Sequence, residues 1–232
     1  MANAVMLLPG LLCDWALWEG VQEGLAADCQ VADLTRDDSI AAMAARTLAA
    51  APPRFAAVGL SMGGYVALEI MRQAPERVSH LALLDSAGGA DSEARKEQRR
   101  GGMVATGQGK FGLVVQAMVP GLLAPDHVDG PLADIVREMA ARVGPEAYLR
   151  QQTAIMGRID SRPHLAEIRV PTLVGVGALD TLTPPALGEE MAGMIPGAEL
   201  VEFAGSGHLS SLEAPQAVRE ALQGLLARPS GG

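Results

Sequence analysis

The chain has 232 residues, 49% of them hydrophobic and 3% aromatic, and a formal net charge of −9 at pH 7. This length favours one domain with a substantial core and room for an inserted subdomain. The acidic balance argues against a nucleic-acid-binding surface, and two cysteines are too few for a disulfide framework. The four histidines lie too far apart in sequence for zinc-ligand spacing, so neither a metal nor another cofactor is expected.

Short apolar runs alternate with helical patterns, which is typical of a parallel sheet with crossover helices. The first run is too short for a membrane span and has no charged leader, so we expect a core strand, no export signal and a cytoplasmic location. The predicted strands are Ala4–Leu8, Gln30–Leu34, Phe55–Leu60, Val78–Leu84, Thr172–Gly177 and Glu199–Phe203. The predicted helices are Trp15–Ala27, Ser39–Ala50, Met62–Gln73, Pro185–Met194 and Pro215–Ala227.

The alternation stops between residues 89 and 169, where helix-like segments are broken by glycine and proline and no strand is evident. A stretch this long is not a structureless loop in a compact domain, so it predicts four or five inserted helices. We therefore expect a core of residues 1–88 and 170–232 and a helical cap, or lid, of residues 89–169. The basic run Arg95-Lys96-Glu97-Gln98-Arg99-Arg100 is interpreted as the solvated face of a helix rather than a phosphate-binding site.

The segment Gly59-Leu60-Ser61-Met62-Gly63 matches the pattern G-x-S-x-G between a predicted strand and a predicted helix. A strand that turns into a helix within a few residues strains the serine backbone and exposes its hydroxyl at the positive end of the helix. Side chains two positions away on either side would collide, which explains both glycines. The pattern predicts that Ser61 is a nucleophile rather than a simple capping residue.

A serine hydroxyl needs a base to remove its proton, and the base needs an acid to orient it. His208 follows the last predicted strand in a short glycine- and serine-rich loop, which makes it the best candidate base. Asp180 follows a buried strand and is the favoured acid, with Asp85, at the end of another strand, as the alternative. The order Ser61, Asp180, His208 is the one expected on a parallel sheet.

Acyl transfer also needs hydrogen-bond donors for the oxyanion that forms on the attacked carbonyl. The backbone N–H of Met62, directly after the nucleophile, is one predicted donor. The second is expected from the loop after the first strand, where Gly10 allows a close approach and Leu11 offers its amide.

These stretches together resemble the α/β-hydrolase superfamily, in particular its compact serine hydrolases with a helical cap: carboxylesterases, carrier-protein methyl ester esterases and enol-lactonases. The matching segments follow the expected order along almost the whole chain: LLPGLLCDWALW, VGLSMGGYVALEI, RVSHLALLDSA, VPTLVGVGALDTLTP and GSGHLSSLEAP. The resemblance implies an α/β-hydrolase fold, a mostly parallel sheet of about six strands flanked by helices, with an inserted helical cap. It also implies that Ser61 is the nucleophile, Asp180 the acid, His208 the base, and Leu11 and Met62 the oxyanion amides.

The sequence departs from that family in its oxyanion loop, where members often have His-Gly and this chain has Pro9 before Gly10. The antiparallel strands that precede this loop in larger members are expected to be absent. A serine nucleophile argues against the dehalogenase and epoxide-hydrolase branches, which are similar but use aspartate.

The expected function is hydrolysis of an ester, lactone or thioester of a small, largely apolar molecule, with no nucleic acid or membrane span involved. Two alternatives stay open: a C–C bond hydrolase with the same triad, and a ligand-sensing protein with little turnover. The sequence does not predict the oligomeric state. Side chains expected to line the substrate pocket are Cys13, Trp15, Phe111, Met118 and Leu209.

Overall fold

The computed structural model describes residues 3–230 of the chain. Within them, six strands form one sheet in the spatial order β2-β1-β3-β4-β5-β6, and every pairing is parallel. The predicted fold class is therefore confirmed. The strands are β1 Asn3–Leu8, β2 Ala27–Val31, β3 Phe55–Leu60, β4 Val78–Leu84, β5 Thr172–Gly177 and β6 Glu199–Phe203.

Helices cover both faces of this sheet. Apolar side chains of α2, α3 and α8 pack on one face, and those of α1 and α10 pack on the other. Strands β3 and β5 are buried along their whole length, which explains their continuous apolar sequences. The helices are α1 Glu19–Gln22, α2 Ile40–Ala50, α3 Met62–Gln73, α4 Glu93–Gly107, α5 Phe111–Leu122, α6 Pro131–Met156, α7 Arg162–Leu165, α8 Pro185–Met194, α9 Ser210–Glu213 and α10 Pro215–Leu226.

Two predicted elements near the N-terminus were wrong in their bounds. The predicted helix Trp15–Ala27 is a 3-10 turn followed by the short α1, and Gly24, with φ of 85°, ends this stretch. Strand β2 begins at residue 27 rather than 30, and its burial alternates between half-buried and exposed because it lies at the sheet edge. Polar residues are tolerated at such an edge, so its sequence lacks the apolar run of a central strand.

Helices α4 to α7 lie between β4 and β5, in the interval where inserted helices were predicted. The long α6 is broken at Gly144, whose φ of 82° and ψ of 167° are not helical and which precedes Pro145. The role of this interval as a lid stays a prediction. Among residues 3–230, no helix has both the length and the apolar character needed to cross a bilayer.

Candidate active site

Ser61 occupies the bend between β3 and α3 in a strained conformation, with φ of 54° and ψ of −113°. A Cβ on Gly63 would overlap the backbone carbonyl oxygen of Leu8, and a Cβ on Gly59 would overlap that of Gly63. Only glycine therefore fits at these two positions, because the chain closes so tightly around the serine.

His208 links Ser61 to Asp180 through an unbroken chain of hydrogen bonds. Its Nε2 lies 2.8 Å from Ser61 Oγ, and its Nδ1 lies 2.8 Å from Asp180 Oδ2. The side chains of His208 and Asp180 are 4% and 0% exposed, so the bond between them is shielded from water, whereas the bond to Ser61 is partly buried at the cavity. Since an ionised carboxylate only accepts hydrogen bonds, the proton of a neutral imidazole belongs on Nδ1, which leaves Nε2 free to accept from the serine hydroxyl.

Thr183 is a fourth member of this hydrogen-bonded network. Its hydroxyl donates to Asp180 Oδ2 over 2.6 Å and lies 3.1 Å from His208 Nδ1. The other oxygen of Asp180 accepts from the backbone N–H groups of Leu182 and Thr183. Burial by itself would raise the pKa of Asp180, but the contacts with His208 and Thr183 outweigh it and lower that pKa below its usual value. The carboxyl is therefore ionised at neutral pH.

Asp85, the alternative acid, does not touch the histidine. One of its oxygens accepts from the backbone N–H of Gly177 over 2.8 Å, and the other accepts from the N–H and hydroxyl of Ser210. It thus connects the end of β5, which precedes Asp180, to the helix that follows His208. Complete burial raises the pKa of Asp85 to about 7.

The two predicted oxyanion donors lie on different segments, Leu11 in the loop after β1 and Met62 at the start of α3. Leu12 has a φ of 60°, and its N–H donates to the buried Gln151 side chain of α6 over 3.1 Å. Gln151 in turn donates to the carbonyl of Leu34. Leu11 lines the same cavity as Ser61, and neither Leu11 nor Met62 donates its backbone N–H to another group within residues 3–230.

A buried carboxylate of α9 fixes the loop that carries the histidine. Glu213 accepts from the N–H of Gly207 and from the N–H of Ala124, both over 2.7 Å, and from Nδ1 of His127 over 2.8 Å. The backbone N–H of His208 itself donates to the carbonyl that ends α5. The histidine loop is therefore tied to the inserted helices.

A cavity of about 400 Å³ opens above Ser61 and His208, and the inserted helices form much of its wall. Three of the predicted pocket residues, Cys13, Met118 and Leu209, line it. Burial raises the pKa of Cys13 to about 12, so this residue is a neutral thiol at physiological pH and does not compete as a nucleophile.

Two predicted pocket residues lie elsewhere. Trp15 is 52% exposed, and its ring is covered on one side by the guanidinium of Arg142. Phe111 packs against the ring of Tyr148, in the small hydrophobic cluster of the inserted helices. Both residues are apolar, and apolar character alone does not distinguish a pocket wall from ordinary packing.

The cavity is not wholly apolar. Part of the basic run of α4 faces it, which corrects the interpretation of that run as a purely solvated face. Within residues 3–230, no three His, Cys, Asp or Glu side chains are grouped to hold a metal ion. The polar side chains that line the cavity besides Ser61 and His208 are Tyr65, Arg95, Gln98, Arg99, Tyr148, Gln152 and Thr183.

A parallel sheet with a serine on a strand–helix bend, and an aspartate and a histidine on later loops, defines an α/β-hydrolase fold. The sequence profile of the alpha/beta hydrolase family matches residues 5–221, and the chain belongs to that family.

Similar proteins include esterases. The chain is 30% identical over 187 residues to a pimeloyl-acyl-carrier-protein methyl ester esterase of Neisseria meningitidis, in an alignment that covers 75% of this chain and 59% of that protein. The chain thus spans about six tenths of the length of curated relatives that it matches. The structure of a thermophilic esterase from Thermogutta terrifontis, with malate bound, has 27% identity and a TM-score of 0.87, covering 97% of this chain and 90% of that one. The structure of an enol-lactonase from Burkholderia xenovorans has 23% identity and a TM-score of 0.87. The superposition covers 98% of this chain and 92% of that one, which shows that the two share a fold.

Proposed function

We propose that this protein is a serine hydrolase that cleaves a carboxylic ester, lactone or thioester through an acyl-enzyme. The observation that carries the proposal is the hydrogen-bonded chain from Ser61 through His208 to Asp180 at the floor of a ligand-sized cavity. The similarity to a methyl ester esterase and to a thermophilic esterase supports this choice of bond.

In the proposed mechanism, Nε2 of His208 takes the proton of Ser61 as Oγ attacks the carbonyl carbon. The tetrahedral intermediate collapses when His208 returns that proton to the leaving alcohol or thiol, which leaves the acyl group on Oγ. A water molecule then attacks the acyl carbon and gives a proton to His208. Collapse of the second intermediate releases the acid and returns the proton to Ser61.

The backbone amides of Leu11 and Met62 donate to the oxyanion in this mechanism, since both are free of other partners among residues 3–230. Asp180 holds the proton on Nδ1 and stabilises the imidazolium that forms. Its lowered pKa keeps it ionised, which this role requires. Thr183 fixes the carboxylate in place.

The test is turnover of p-nitrophenyl butyrate by wild type and Ser61→Ala, with fold checked by circular dichroism. The variant should lose about 10³-fold or more in kcat, because only binding and the oxyanion donors remain. A fluorophosphonate should label wild type but not the variant. Ser39→Ala, which removes a hydroxyl from the N-terminus of α2 outside the cavity, is the matched control and should keep full activity.

Turnover by Ser61→Ala at the wild-type rate would overturn the proposed mechanism. Labelling of wild-type Ser61 with almost no ester turnover would favour the ligand-sensing alternative. Faster cleavage of a vinylogous diketone than of any ester would favour the C–C hydrolase.

A further inference from the structure

One face of α4 brings positive charge to the cavity that contains Ser61. Arg95 and Arg99 are one helical turn apart, so their side chains leave the same face of the helix, and both line the cavity. The helix lies close to the cavity wall because Gly102 has no side chain: a Cβ there would lie 2.5 Å from the hydroxyl of Tyr148.

Arg95 differs from the other basic residues of this helix in its partners. Each of the others forms an ion pair with a carboxylate of Asp91, Glu93 or Glu97. Arg95 forms none with any carboxylate of the described chain; its Nη2 donates one hydrogen bond, over 3.1 Å, to the backbone carbonyl of Leu182. Because a guanidinium has five N–H donors, most of those of Arg95 remain available to a ligand.

The surroundings of Arg95 do not neutralise it. Asp91, which does not line the cavity, lies between Arg99, at 2.6 Å, and Arg158, at 3.0 Å. Two guanidinium groups, those of Arg95 and Arg99, line the cavity, and within residues 3–230 no Asp or Glu side chain lines it, on a chain whose net charge is −9. Such a local excess favours an anionic ligand.

We propose that Arg95 binds a carboxylate of the substrate, so that the preferred substrates are esters of acids that carry a second carboxylate. The proposal rests on the proposed function, since it names the substrate class of the same Ser61 site. The planar fork of a guanidinium pairs with both oxygens of a carboxylate, and partial burial strengthens that pair. A cavity of about 400 Å³ suits a short-chain acid with one end at Ser61 and the other at Arg95.

Monomethyl glutarate and dimethyl glutarate test this proposal, because they share one carbon chain and differ in one charge. Methanol release should show a higher kcat/KM for the monoanion with wild type. Arg95→Gln should lose about 10- to 100-fold in kcat/KM for the monoanion, the usual range for a partly buried charge-assisted pair, and little for the diester. Arg95→Lys should recover part of the loss. Monomethyl succinate and monomethyl adipate, with a shorter and a longer carbon chain, then show which chain length gives the highest kcat/KM.

Arg100→Gln is the matched control, because Arg100 lies on the same helix, pairs with Glu97 and does not line the cavity. Arg100→Gln should leave kcat/KM unchanged for both the monoanion and the diester. Equal losses for both substrates in Arg95→Gln would overturn the proposal, since they would show that Arg95 only anchors the Leu182 loop. An equal loss in Arg100→Gln, or no preference of wild type for the monoanion, would overturn it as well.

A binding measurement keeps the result separate from the proposed function. Glutarate should bind the Ser61→Ala protein in calorimetry, and replacing Arg95 with Gln in that background should weaken binding by at least tenfold. If wild type hydrolyses neither ester and a fluorophosphonate does not label Ser61, the proposed function fails while glutarate binding still decides the role of Arg95. Glutarate binding that is unaffected by Arg95→Gln would refute that role.

Discussion

Asp85→Asn is expected to change how stability depends on pH. The Asp85 carboxyl is completely buried, and its pKa rises from 3.8 to about 7 because burial disfavours the charged form. Since the folded pKa lies above the unfolded one, the native state binds more protons between about pH 4 and pH 7. The contribution of this group to the free energy of unfolding therefore falls as the pH rises through that window, and it is constant above it.

The size of the effect follows from the width of the window. Between pH 5 and pH 7 two pH units are crossed, and each is worth 1.36 kcal/mol for one proton, so wild type loses about 3 kcal/mol through this group. An asparagine does not titrate, so the variant has no such pH-dependent loss of unfolding free energy. Urea unfolding followed by tryptophan fluorescence should therefore show the difference in unfolding free energy, Asp85→Asn minus wild type, increasing by about 3 kcal/mol from pH 5 to pH 8.

Asp37→Asn is the matched control. Asp37 pairs with Arg46 near the surface, and the hydrogen bond from Arg46 lowers its pKa below 3.8, so it stays ionised throughout this range. The difference in unfolding free energy between Asp37→Asn and wild type should therefore not change with pH. A constant difference for Asp85→Asn as well would show that Asp85 titrates below pH 5, and the reasoning from burial would be refuted.

Two further substitutions test the backbone around the site. Gln151→Leu should lower the unfolding free energy by about 1–3 kcal/mol and reduce ester turnover, because it leaves the N–H of Leu12 buried without a partner; Gln151→Glu keeps an acceptor and should retain more activity. A Gln151→Leu protein with wild-type stability and rate would contradict this. Gly63→Ala should lower the free energy of unfolding in urea by more than about 4 kcal/mol, because the new methyl group overlaps the carbonyl of Leu8. Gly107→Ala, which has open space around it, should change that free energy by about 1 kcal/mol or less. Equal effects of these two glycine substitutions would refute the steric argument.

The central strands were predictable because the sequence signal for them is local. Strands β3, β4, β5 and β6 have the predicted bounds, and β3 and β5 are short apolar runs, buried on both faces, between glycine, proline or charged residues. The bend at Ser61 also has a local signal. A Cβ on Gly59 would overlap the carbonyl of Gly63, which is only four positions further along the chain. Of the two edge strands, β6 has the predicted bounds although three of its five residues are exposed, whereas β2, in which half-buried and exposed residues alternate, does not.

The side chains that support the site were not predictable in the same way. Gln151 contacts Leu12 across 139 positions, and Arg95 contacts Leu182 across 87, so no local pattern in the sequence relates them. Thr183 has a local signal, since a threonine three residues after an aspartate is a common hydrogen-bonding turn, but such a turn does not by itself indicate a contact with His208, and Thr183 was not among the predicted site residues.

The inserted helices take part in the geometry of the site as well as in its enclosure. They hold the loop after β1 through Gln151, the loop after β5 through Arg95, and the loop after β6 through the carbonyl of Leu122. Those three loops present the oxyanion amide, the acid and the base of the proposed mechanism. A helical layer that only covered the cavity could be displaced without altering these groups, whereas displacing this one would break a hydrogen bond to each loop. Under the lid role predicted for residues 89–169, substrate entry and the alignment of the reacting groups would therefore be coupled.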